Sequence, residues 1–449
     1  MPAGASPDLD PVAPVSRPAV TPPAPARPTS LQLSPFRALR YAAAADLSTL
    51  TSPPYDVIDA DGVAALEAAN EHNVVRLILP RATTAEGQDR YARAAATLRA
   101  WRRERVLVPD DDPALYVYEQ AAPNGHVQRG LLGALTLSPP DDGIVLPHEN
   151  TMAGPVSDRL ALYTAVDADL EPIFLLYDGG GAASRAVADA DRLAPLVDQQ
   201  LPDGLRHRLW ALTDPALLAE IAADLAPRRA VIADGHHRYA TYLQRQSQRH
   251  SAGDGPGPWD GGLTFLVDAR AFGPQVHAIH RVIPGHDAAD LAYRAARGAV
   301  VHELDGNDLA DALTALAKAG TTGPAFLLVS GDGGAIRLLT DLDPEQVARA
   351  LPAERSAAWR SLDVSVLHSY VVAALWELED DVDTVTYEHD VAAAIEAAAR
   401  TGGTAVLLNP TPVDGVVRVA AGGERMPRKS TLFTPKPRTG LVLRDHRDA

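Results

Sequence analysis

One segment, Arg229–Leu243, constrains the fold more than any other part of the chain. It reads RAVIADGHHRYATYL, in which the apolar run Ala230–Ala233 predicts a strand that stops at Asp234 and Gly235. A helix-compatible run opens at His236. Glycine at such a turn permits a positive φ or a close backbone approach, and a helix N-terminus offers unpaired N–H groups to an anion. The segment therefore predicts a strand–turn–helix element that carries a site.

The side chains at this junction are more polar than a structural turn requires. Asp234 is a candidate general base or magnesium ligand, because a strand end exposes a carboxylate while the sheet fixes it. Gly235 would let backbone N–H groups approach phosphate oxygens, and Arg238 could clamp a phosphate bidentately. His236 and His237 would point about 100° apart on a helix. The alternative is a capping aspartate, a turn glycine and two surface histidines.

The composition excludes several classes of function. The chain has 449 residues, a formal net charge of −17 and no cysteine. Disulfides, cysteine–zinc sites and thiol catalysis are therefore excluded, and a basic face for nucleic acid or an anionic membrane is not expected. No apolar stretch is long enough to predict a membrane span. We expect a cytoplasmic protein with a small-molecule substrate, and the sequence predicts no particular oligomeric state.

Periodicity predicts an α/β protein, a mixed α+β arrangement of mixed sheets with flanking helices. Residues 1–30 are rich in proline and alanine and predict a disordered N-terminal extension, so the ordered region is residues 31–449. If that region divides, the Gly/Pro-rich segment 250–262 is the expected place. Among the individual elements, Val74–Leu79 is interpreted as a strand and Gln88–Arg105 as a helix.

A second polar segment follows Leu146 and contains His148 and Glu149. The pair begins like a zinc-protease helix, but Met152 stands where the second histidine is needed, so that motif fails. Asp158 and Arg159 come shortly afterwards. These polar residues could form a substrate site if the intervening loop folds back, and the alternative is a solvated connection before a helix.

Two further segments are candidates on weaker grounds. Thr51–Ile58 contains paired prolines, which favour a rigid structural turn, and the alternative is that the turn holds Tyr55 and Asp56 at the edge of a site. Arg425–Arg438 has five basic residues and no acidic one, which can mark an anion site. Gly423–Ser430 nearly spells a P-loop, but an arginine replaces its second glycine, so a true P-loop is rejected.

The basic segment offers Arg428 and Lys429 as candidate phosphate-binding residues. Clustered cations raise the local concentration of an anion. The alternative is a solvated basic tail.

Together these segments resemble the domain-of-unknown-function 1015 (DUF1015) family. The resemblance covers nearly all of the chain after residue 30, and the matching stretches in order are Ser34–Arg37, Ser52–Ile58, Asn73–Leu79, Leu146–Asp158, Ala233–Tyr239, Asp363–His368 and Met426–Val442. The family name alone implies no reaction.

The run Asp234–Arg238 also resembles the core motif of ParB/sulfiredoxin-fold proteins, especially the free-serine kinases of that fold. In those enzymes the corresponding turn meets nucleotide phosphates, an acidic residue supports phosphoryl transfer, and a separate glutamate activates the serine hydroxyl. The resemblance implies Asp234 as the acid and Glu149 as the candidate separate glutamate. It implies Mg²⁺, with Asp234 as a ligand, and ATP or ADP as cofactors, and free L-serine as the first acceptor to consider.

Three functions therefore stay open from the sequence. The leading hypothesis is a small-molecule kinase with Asp234, Glu149 and His237 as catalytic residues. Its substrate and phosphate would be bound by a further set of residues, namely Gly235, His236, Arg238, His148, Asp158, Arg159, Arg428 and Lys429. The second hypothesis is a metal-dependent hydrolase with Asp234, His236, Glu149 and His148 as ligands. The third is a non-catalytic nucleotide sensor or regulatory scaffold.

Overall fold

The computed structural model describes residues 28–42, 45–82, 89–304, 308–379, 381 and 384–448. The predicted N-terminal extension lies outside these ranges, apart from residues 28–30. The mixed α/β class predicted from the sequence is confirmed, since the described residues form strands and helices in alternation along the chain.

The described strands are short to medium in length and are numbered in chain order. They are β1 (Leu33–Ser34), β2 (Leu39–Tyr41), β3 (Leu107–Pro109), β4 (Leu115–Ala121), β5 (Val127–Thr136), β6 (Val145–Leu146), β7 (Ala168–Asp169), β8 (Ile173–Tyr177), β9 (Val197–Gln200), β10 (Arg206–Leu212), β11 (Ala230–Asp234), β12 (Gly261–Asp268), β13 (Gln275–His277), β14 (His280–Ile283), β15 (Val300–Glu303), β16 (Phe326–Ser330), β17 (Arg337–Thr340), β18 (Thr386–Glu388), β19 (Thr404–Leu408), β20 (Leu432–Thr434) and β21 (Arg444–Asp445).

The described α-helices are numbered in the same way. They are α1 (Leu47–Leu50), α2 (Ala60–Ala69), α3 (Val75–Ile78), α4 (Asp89–Arg103), α5 (Ala153–Val166), α6 (Gly181–Ala188), α7 (Pro215–Leu225), α8 (His236–Ser251), α9 (Ala288–Ala295), α10 (Leu309–Ala319), α11 (Pro344–Ala350), α12 (Ala357–Arg360), α13 (Asp363–Val366), α14 (Val391–Thr401) and α15 (Val413–Ala421). A π-helical segment, Leu367–Leu375, continues α13. No helix in the described part of the chain is long and apolar enough to span a membrane.

Aspartate side chains start many of these helices, which accounts for part of the acidic composition. Each of seven aspartates accepts a hydrogen bond from an N–H group in the first turn of the helix that follows it. These aspartates are Asp46, Asp59, Asp214, Asp287, Asp308, Asp343 and Asp390.

The larger sheet has nine strands and holds the predicted junction. Its order is β6-β11-β8-β12-β5-β4-β10-β9, and β1 pairs with β5. The pairs β11–β6 and β12–β8 are parallel, and the other pairs are antiparallel. Helix α8 packs on β8 and β12 and against α5. The junction therefore lies where the buried strand β11 leaves the sheet for α8.

The smaller sheet has six antiparallel strands in the order β15-β17-β16-β19-β14-β18. Helix α14 covers it with a face of three buried alanines, Ala394, Ala397 and Ala398. Small side chains let the helix approach buried leucines of the strands, such as Leu327 and Leu407. This face forms a second hydrophobic core.

The C-terminal segment returns across the larger sheet. Strand β20 pairs with β13, Thr439 bridges to Ser52, Leu443 bridges to Leu39, and β21 pairs with β7. This path carries the basic segment of the sequence to the end of β11.

The two individual elements expected from the sequence differ in outcome. The helix predicted at Gln88–Arg105 is α4, whereas the strand predicted at Val74–Leu79 is wrong, because that run forms α3. The run is short and mostly buried, with Arg76 as its one polar residue, so its pattern does not separate a strand from a helix. The side chain of Asn73 accepts a hydrogen bond from the N–H of Val75 at 2.9 Å, which favours a helical turn.

The segment 250–262 connects α8 to β12, which lies in the larger sheet. The first strand of the smaller sheet, β14, comes later in the chain. A division of the ordered region into domains stays a prediction.

Candidate functional site

The predicted junction forms as a strand, a left-handed glycine and a helix. Gly235 has a φ of 93°, and α8 begins at the next residue. A Cβ atom at Gly235 would lie 3.1–3.2 Å from Nε, Cζ and Nη2 of Arg238. Glycine is therefore required both by the backbone conformation and by the guanidinium packed beneath the turn.

Both carboxylate oxygens of Asp234 face cations. Oδ2 lies 2.5 Å from Nη2 of Arg238, and Oδ1 lies 2.9 Å from Nζ of Lys436. Nζ of Lys436 also lies 2.8 Å from Oδ2 of Asp56. Burial alone would lower the pKa of Lys436, but attraction to Asp234 and Asp56 raises it. Lys436 is therefore a fixed cation between two carboxylates that are distant in sequence.

The larger sheet holds Lys436 in place through its backbone. The side chain of Gln120 donates to the carbonyl of Lys436 at 3.0 Å, and that of Gln128 donates to the carbonyl of Pro435 at 2.9 Å. Both glutamines are buried, on β4 and β5 respectively. The ammonium group thus starts from a backbone anchored on the sheet.

Arg238 is only 1% exposed, which differs from the expected phosphate clamp. Its Nη1 donates to the carbonyl of Pro172, and its Nη2 is paired with Asp234. The buried carboxylate of Glu171 also attracts it. Protein groups enclose the charge of Arg238, so it is not available to a phosphate. Its hydrogen bonds instead hold Asp234 and the turn in position.

Glu171 is a buried acid that the sequence analysis did not single out. Its Oε1 accepts the N–H of Tyr55 at 2.9 Å and the hydroxyl of Thr439 at 3.2 Å. Burial raises the pKa of Glu171, while Arg238 and Arg159 oppose that rise. Glu171 therefore links the paired-proline turn, the C-terminal segment and the junction.

Glu149 lies on the other side of the junction, and its side chain is 39% exposed. Its oxygens lie 3.9 Å from Nε2 of His148 and 3.7 Å from Nδ1 of His236. Burial and the charge of Asp234 raise the pKa of Glu149, and Lys429 and Lys436 partly offset them. The structure thus brings Glu149, Asp234 and both lysines to one place.

A cavity of about 150 Å³ adjoins Glu149. The polar side chains that line it belong to Glu149, Asn150, Thr151, His236, Tyr239 and Arg425. Cavities that hold drug-sized ligands measure about 300–1,000 Å³, so this one is of a size for a smaller molecule.

His148 and His236 are buried and neutral. Nδ1 of His148 donates to the carbonyl of Ile232 at 2.6 Å, and its Nε2 accepts from the hydroxyl of Thr431 at 3.1 Å. Burial lowers the pKa of His148 to about 4. Burial and the neighbouring His148 lower the pKa of His236 well below its ordinary value.

Among the described residues, His148, Glu149 and His236 form a group that could hold a metal ion, with ligand atoms within 4.8 Å of one another. The hydrogen bonds oppose this use of His236. Its Nε2 accepts the backbone N–H of His148 at 3.2 Å, so in the neutral ring the proton is on Nδ1, which faces Glu149. A metal would need a lone pair at that nitrogen, so the ring would have to change its partners.

The expected magnesium ligand Asp234 is likewise occupied by Arg238 and Lys436. Magnesium at Asp234 stays a prediction.

Asp158 and Arg159 do not face the cavity, which differs from the expected substrate site. Asp158 lies 2.6 Å from both the Arg90 and the Arg159 guanidinium groups, and it accepts the hydroxyl of Tyr91 at 2.8 Å. Arg159 is buried and donates to the carbonyl of Ile78 at 2.7 Å. These groups join α4 to α5.

The exposed residues Arg428 and Lys429 separate in space. Lys429 has a φ of 53°, and its charge lowers the pKa of Glu149. The guanidinium of Arg428 lies 5.9 Å from the ring centroid of Tyr387 in the smaller sheet. Arg281 fixes this turn by donating to the carbonyl of Lys429 at 3.1 Å. Lys429 thus joins the site, and Arg428 lies beside it.

Sequence reasoning missed Lys436 and favoured a structural turn at Asp56. Lys436 stands between two prolines at the end of the basic segment, and Asp56 follows a proline pair. The sequence signal that could have identified both residues is a charged side chain close to prolines, because proline restricts the backbone and so helps to fix the position of its neighbours.

Comparisons with solved structures find distant similarity. A free serine kinase variant in complex with ADP is 14% identical and has a TM-score of 0.34, over 76% of this chain and 98% of that chain. SbnI from Staphylococcus aureus, truncated at its C-terminus, is 11% identical with a TM-score of 0.33, over 70% of this chain and 87% of that chain.

A conserved hypothetical protein from Pyrococcus furiosus is 14% identical with a TM-score of 0.32, over 72% of this chain and 98% of that chain. No curated protein matches the sequence. The model of one family, described as protein of unknown function (DUF1015), matches residues 33–365. This match spans well over half of the sequence, and the chain therefore belongs to the DUF1015 family.

Proposed function

We propose that this protein is a phosphotransferase that moves a nucleotide phosphoryl group to a small hydroxyl substrate. The observation that carries the proposal is that Glu149 lines a small cavity and has its pKa shifted by the charges of Asp234 and Lys436, which form an ion pair with each other. Because TM-scores of 0.32–0.35 are too low to transfer a function, the proposal rests on this geometry.

Phosphoryl transfer needs positioning and charge neutralisation more than covalent chemistry. Lys436 and Lys429 supply positive charge near the acid, and the N-terminus of α8 with Gly235 supplies N–H groups for phosphate oxygens. Bound Mg²⁺ would supply further neutralisation of the nucleotide phosphates. In this assignment Asp234 keeps Lys436 and Arg238 in position.

Glu149 is the proposed general base. It lines the cavity, so it is within reach of a hydroxyl bound there, and its raised pKa moves it toward the range in which proton transfer is efficient. The substrate proton would pass to a Glu149 oxygen while the hydroxyl oxygen bonds to the transferred phosphorus. The bond from that phosphorus to the nucleotide oxygen breaks, and the nucleotide leaves one phosphate shorter.

Free L-serine is the first acceptor to test. The cavity is lined by Glu149 and Arg425, so in this assignment the guanidinium of Arg425 would pair with the serine carboxylate while Glu149 takes the hydroxyl proton. Purified protein would be incubated with magnesium, serine and ATP or ADP, and followed by phosphorus NMR. A phosphate-ester resonance supports the proposal, and no ester with any nucleotide would contradict serine as the acceptor.

Experiments on the same purified protein distinguish the two other functions, a nucleotide sensor and a metal-dependent hydrolase. Nucleotide binding by calorimetry without turnover, and unaltered by an acceptor, would favour a sensor. The grouping of His148, Glu149 and His236 makes a metal-dependent hydrolase the second candidate, and it requires His236 to give up its present hydrogen bond to the loop. That function requires stoichiometric metal after purification and loss of activity with chelators.

A further inference from the structure

The first two residues of α8 both contact the loop that carries Glu149. Nε2 of His236 accepts the backbone N–H of His148 at 3.2 Å, and Nε2 of His237 accepts the backbone N–H of Met152 at 3.1 Å. Adjacent helical residues point about 100° apart, yet these two rings reach opposite ends of one five-residue loop, residues 148–152. Glu149 lies between the two attachment points.

The hydrogen bonds define which nitrogen carries the proton in each ring. A backbone N–H can only donate, so both Nε2 atoms must present a lone pair. In a neutral imidazole the proton is then on Nδ1. For His236 this nitrogen lies 3.7 Å from Oε2 of Glu149. The ring therefore holds the loop with one nitrogen and presents an N–H group to the carboxylate with the other.

The start of the same loop is held from a third direction. The side chain of His148 spans from the carbonyl of Ile232 on β11 to the hydroxyl of Thr431 in the C-terminal segment. The backbone N–H of Met426 also donates to the carbonyl of His148 at 2.8 Å. Residue 148 is thus tied to the sheet, to α8 and to the basic segment, while the N–H of Met152, the residue that precedes α5, is bonded to His237.

We infer that His236 and His237 are positioning residues, whose Nε2 atoms clamp residues 148–152 to the helix N-terminus and thereby place the Glu149 carboxylate. This gives both adjacent histidines a role at the junction, since each ring supplies an acceptor that lysine or arginine lacks. The clamp does not depend on the reaction. Its consequence for catalysis rests on the proposed function.

The tautomers give a direct test. Protein labelled with ¹⁵N only at histidine would be studied by NMR at neutral pH. A spectrum that correlates the ring nitrogens with the carbon-bound ring protons separates protonated from unprotonated nitrogens by their ¹⁵N chemical shifts. Signals are assigned by their loss in His236→Gln and His237→Gln. We expect an unprotonated Nε2 and a protonated Nδ1 in both rings. A proton on Nε2 of either ring would overturn the clamp.

Matched substitutions test the clamp itself. A glutamine oxygen reaches about as far as Nε2 and can accept the loop N–H, whereas an asparagine oxygen reaches only about as far as Nδ1. His237→Asn should raise amide exchange in a peptide covering 148–152 by about tenfold, with His237→Gln within about threefold of the wild type. Unchanged exchange in the β4–β5 hairpin shows that each variant is folded. Equal exchange in the two variants would overturn the inference.

Activity adds an independent readout. If the protein forms a phosphate ester, His237→Asn should lower kcat while the nucleotide Kd stays unchanged, and His237→Gln should restore most of kcat. If no ester forms in the wild type, the proposed function fails while the tautomer and exchange results still decide the clamp. Full kcat in a His237→Asn variant with a loosened loop would show that Glu149 does not need the clamp.

Discussion

Nζ of Lys436 lies 2.9 Å from Oδ1 of Asp234, so the basic C-terminal segment completes the strand–turn–helix junction. The same ammonium lies 2.8 Å from Asp56. Two carboxylates therefore share one lysine, and a second cation, Arg238, holds the other oxygen of Asp234. Lys436 and Arg238 are thus held in place by the two carboxylates before any ligand arrives.

Removal of the lysine charge should damage both stability and nucleotide binding. In Lys436→Met, Asp56 and Asp234 lose their shared cation, so we expect the free energy of unfolding to fall by about 1–3 kcal/mol. We expect nucleotide affinity by calorimetry to fall about tenfold or more. Lys318→Met, an exposed lysine at the end of α10, should change stability by less than about 0.5 kcal/mol. Wild-type nucleotide affinity in Lys436→Met would exclude a phosphate-binding role.

Comparison of two glycines separates the effect of the Gly235–Arg238 contact from the effect of backbone strain. Gly235 and Gly125 have similar φ values of 93° and 89°, but a Cβ at Gly125 would meet nothing within 4 Å. Alanine at either position should cost about 1–2 kcal/mol of unfolding free energy from backbone strain. Gly235→Ala should cost more, because its Cβ crowds the Arg238 guanidinium. Equal losses in urea denaturation would show that this contact is unimportant.

We expect substitution of Asp158 to lower the stability of the protein and to leave its kinetics of phosphate transfer nearly unchanged. Because it joins Arg90 and the buried Arg159, Asp158→Asn should lower the free energy of unfolding by about 1–3 kcal/mol. Its kcat/KM for phosphate transfer should stay within about threefold of the wild type. A drop in kcat/KM beyond tenfold with unchanged stability would return Asp158 to the substrate site.

The buried histidines should make the protein sensitive to acid. The folded pKa of His148 is about 4, below its ordinary value of 6.5. Because the unfolded state binds a proton more readily than the folded state, the free energy of unfolding is highest above about pH 6.5 and falls as the pH is lowered toward 4. The full contribution is about 3 kcal/mol.

Urea unfolding between about pH 7.5 and pH 5 checks this sign. His148→Asn keeps an N–H donor for the Ile232 carbonyl but cannot titrate in this range, so its stability should vary less with pH. His236 and His280, whose pKa values are also lowered by burial, should retain part of the acid sensitivity. Identical pH profiles for the variant and the wild type would contradict a neutral, buried His148.

Local patterns in the sequence predicted local structure well. The strand, the left-handed Gly235 and the helix at His236 depend on neighbouring residues, so all three could be predicted from one segment. The strand expected at Val74–Leu79 is wrong because six residues with a single polar side chain, Arg76, are too few to define a period. There the Asn73 side chain accepts the N–H of Val75, which favours a helical turn.

Contacts between distant segments could not be read from the sequence. Lys436 meets Asp56 because the C-terminal segment bridges back to Ser52 and is held by two buried glutamines. Arg238 was expected to face phosphate, yet helical spacing places it four residues after Asp234, where it pairs with that carboxylate inside the protein. Charge pattern alone does not separate a ligand-binding arginine from a buried one.

The most direct test of the proposed function compares the wild type with Glu149→Gln for phosphate-ester formation from nucleotide and serine. Glutamine keeps the size of the side chain and removes its ability to take a proton. We expect nucleotide affinity within about threefold of the wild type and a kcat lowered by about a hundredfold or more. A Glu149→Gln protein that forms the ester at the wild-type rate would contradict the assignment of Glu149 as the base.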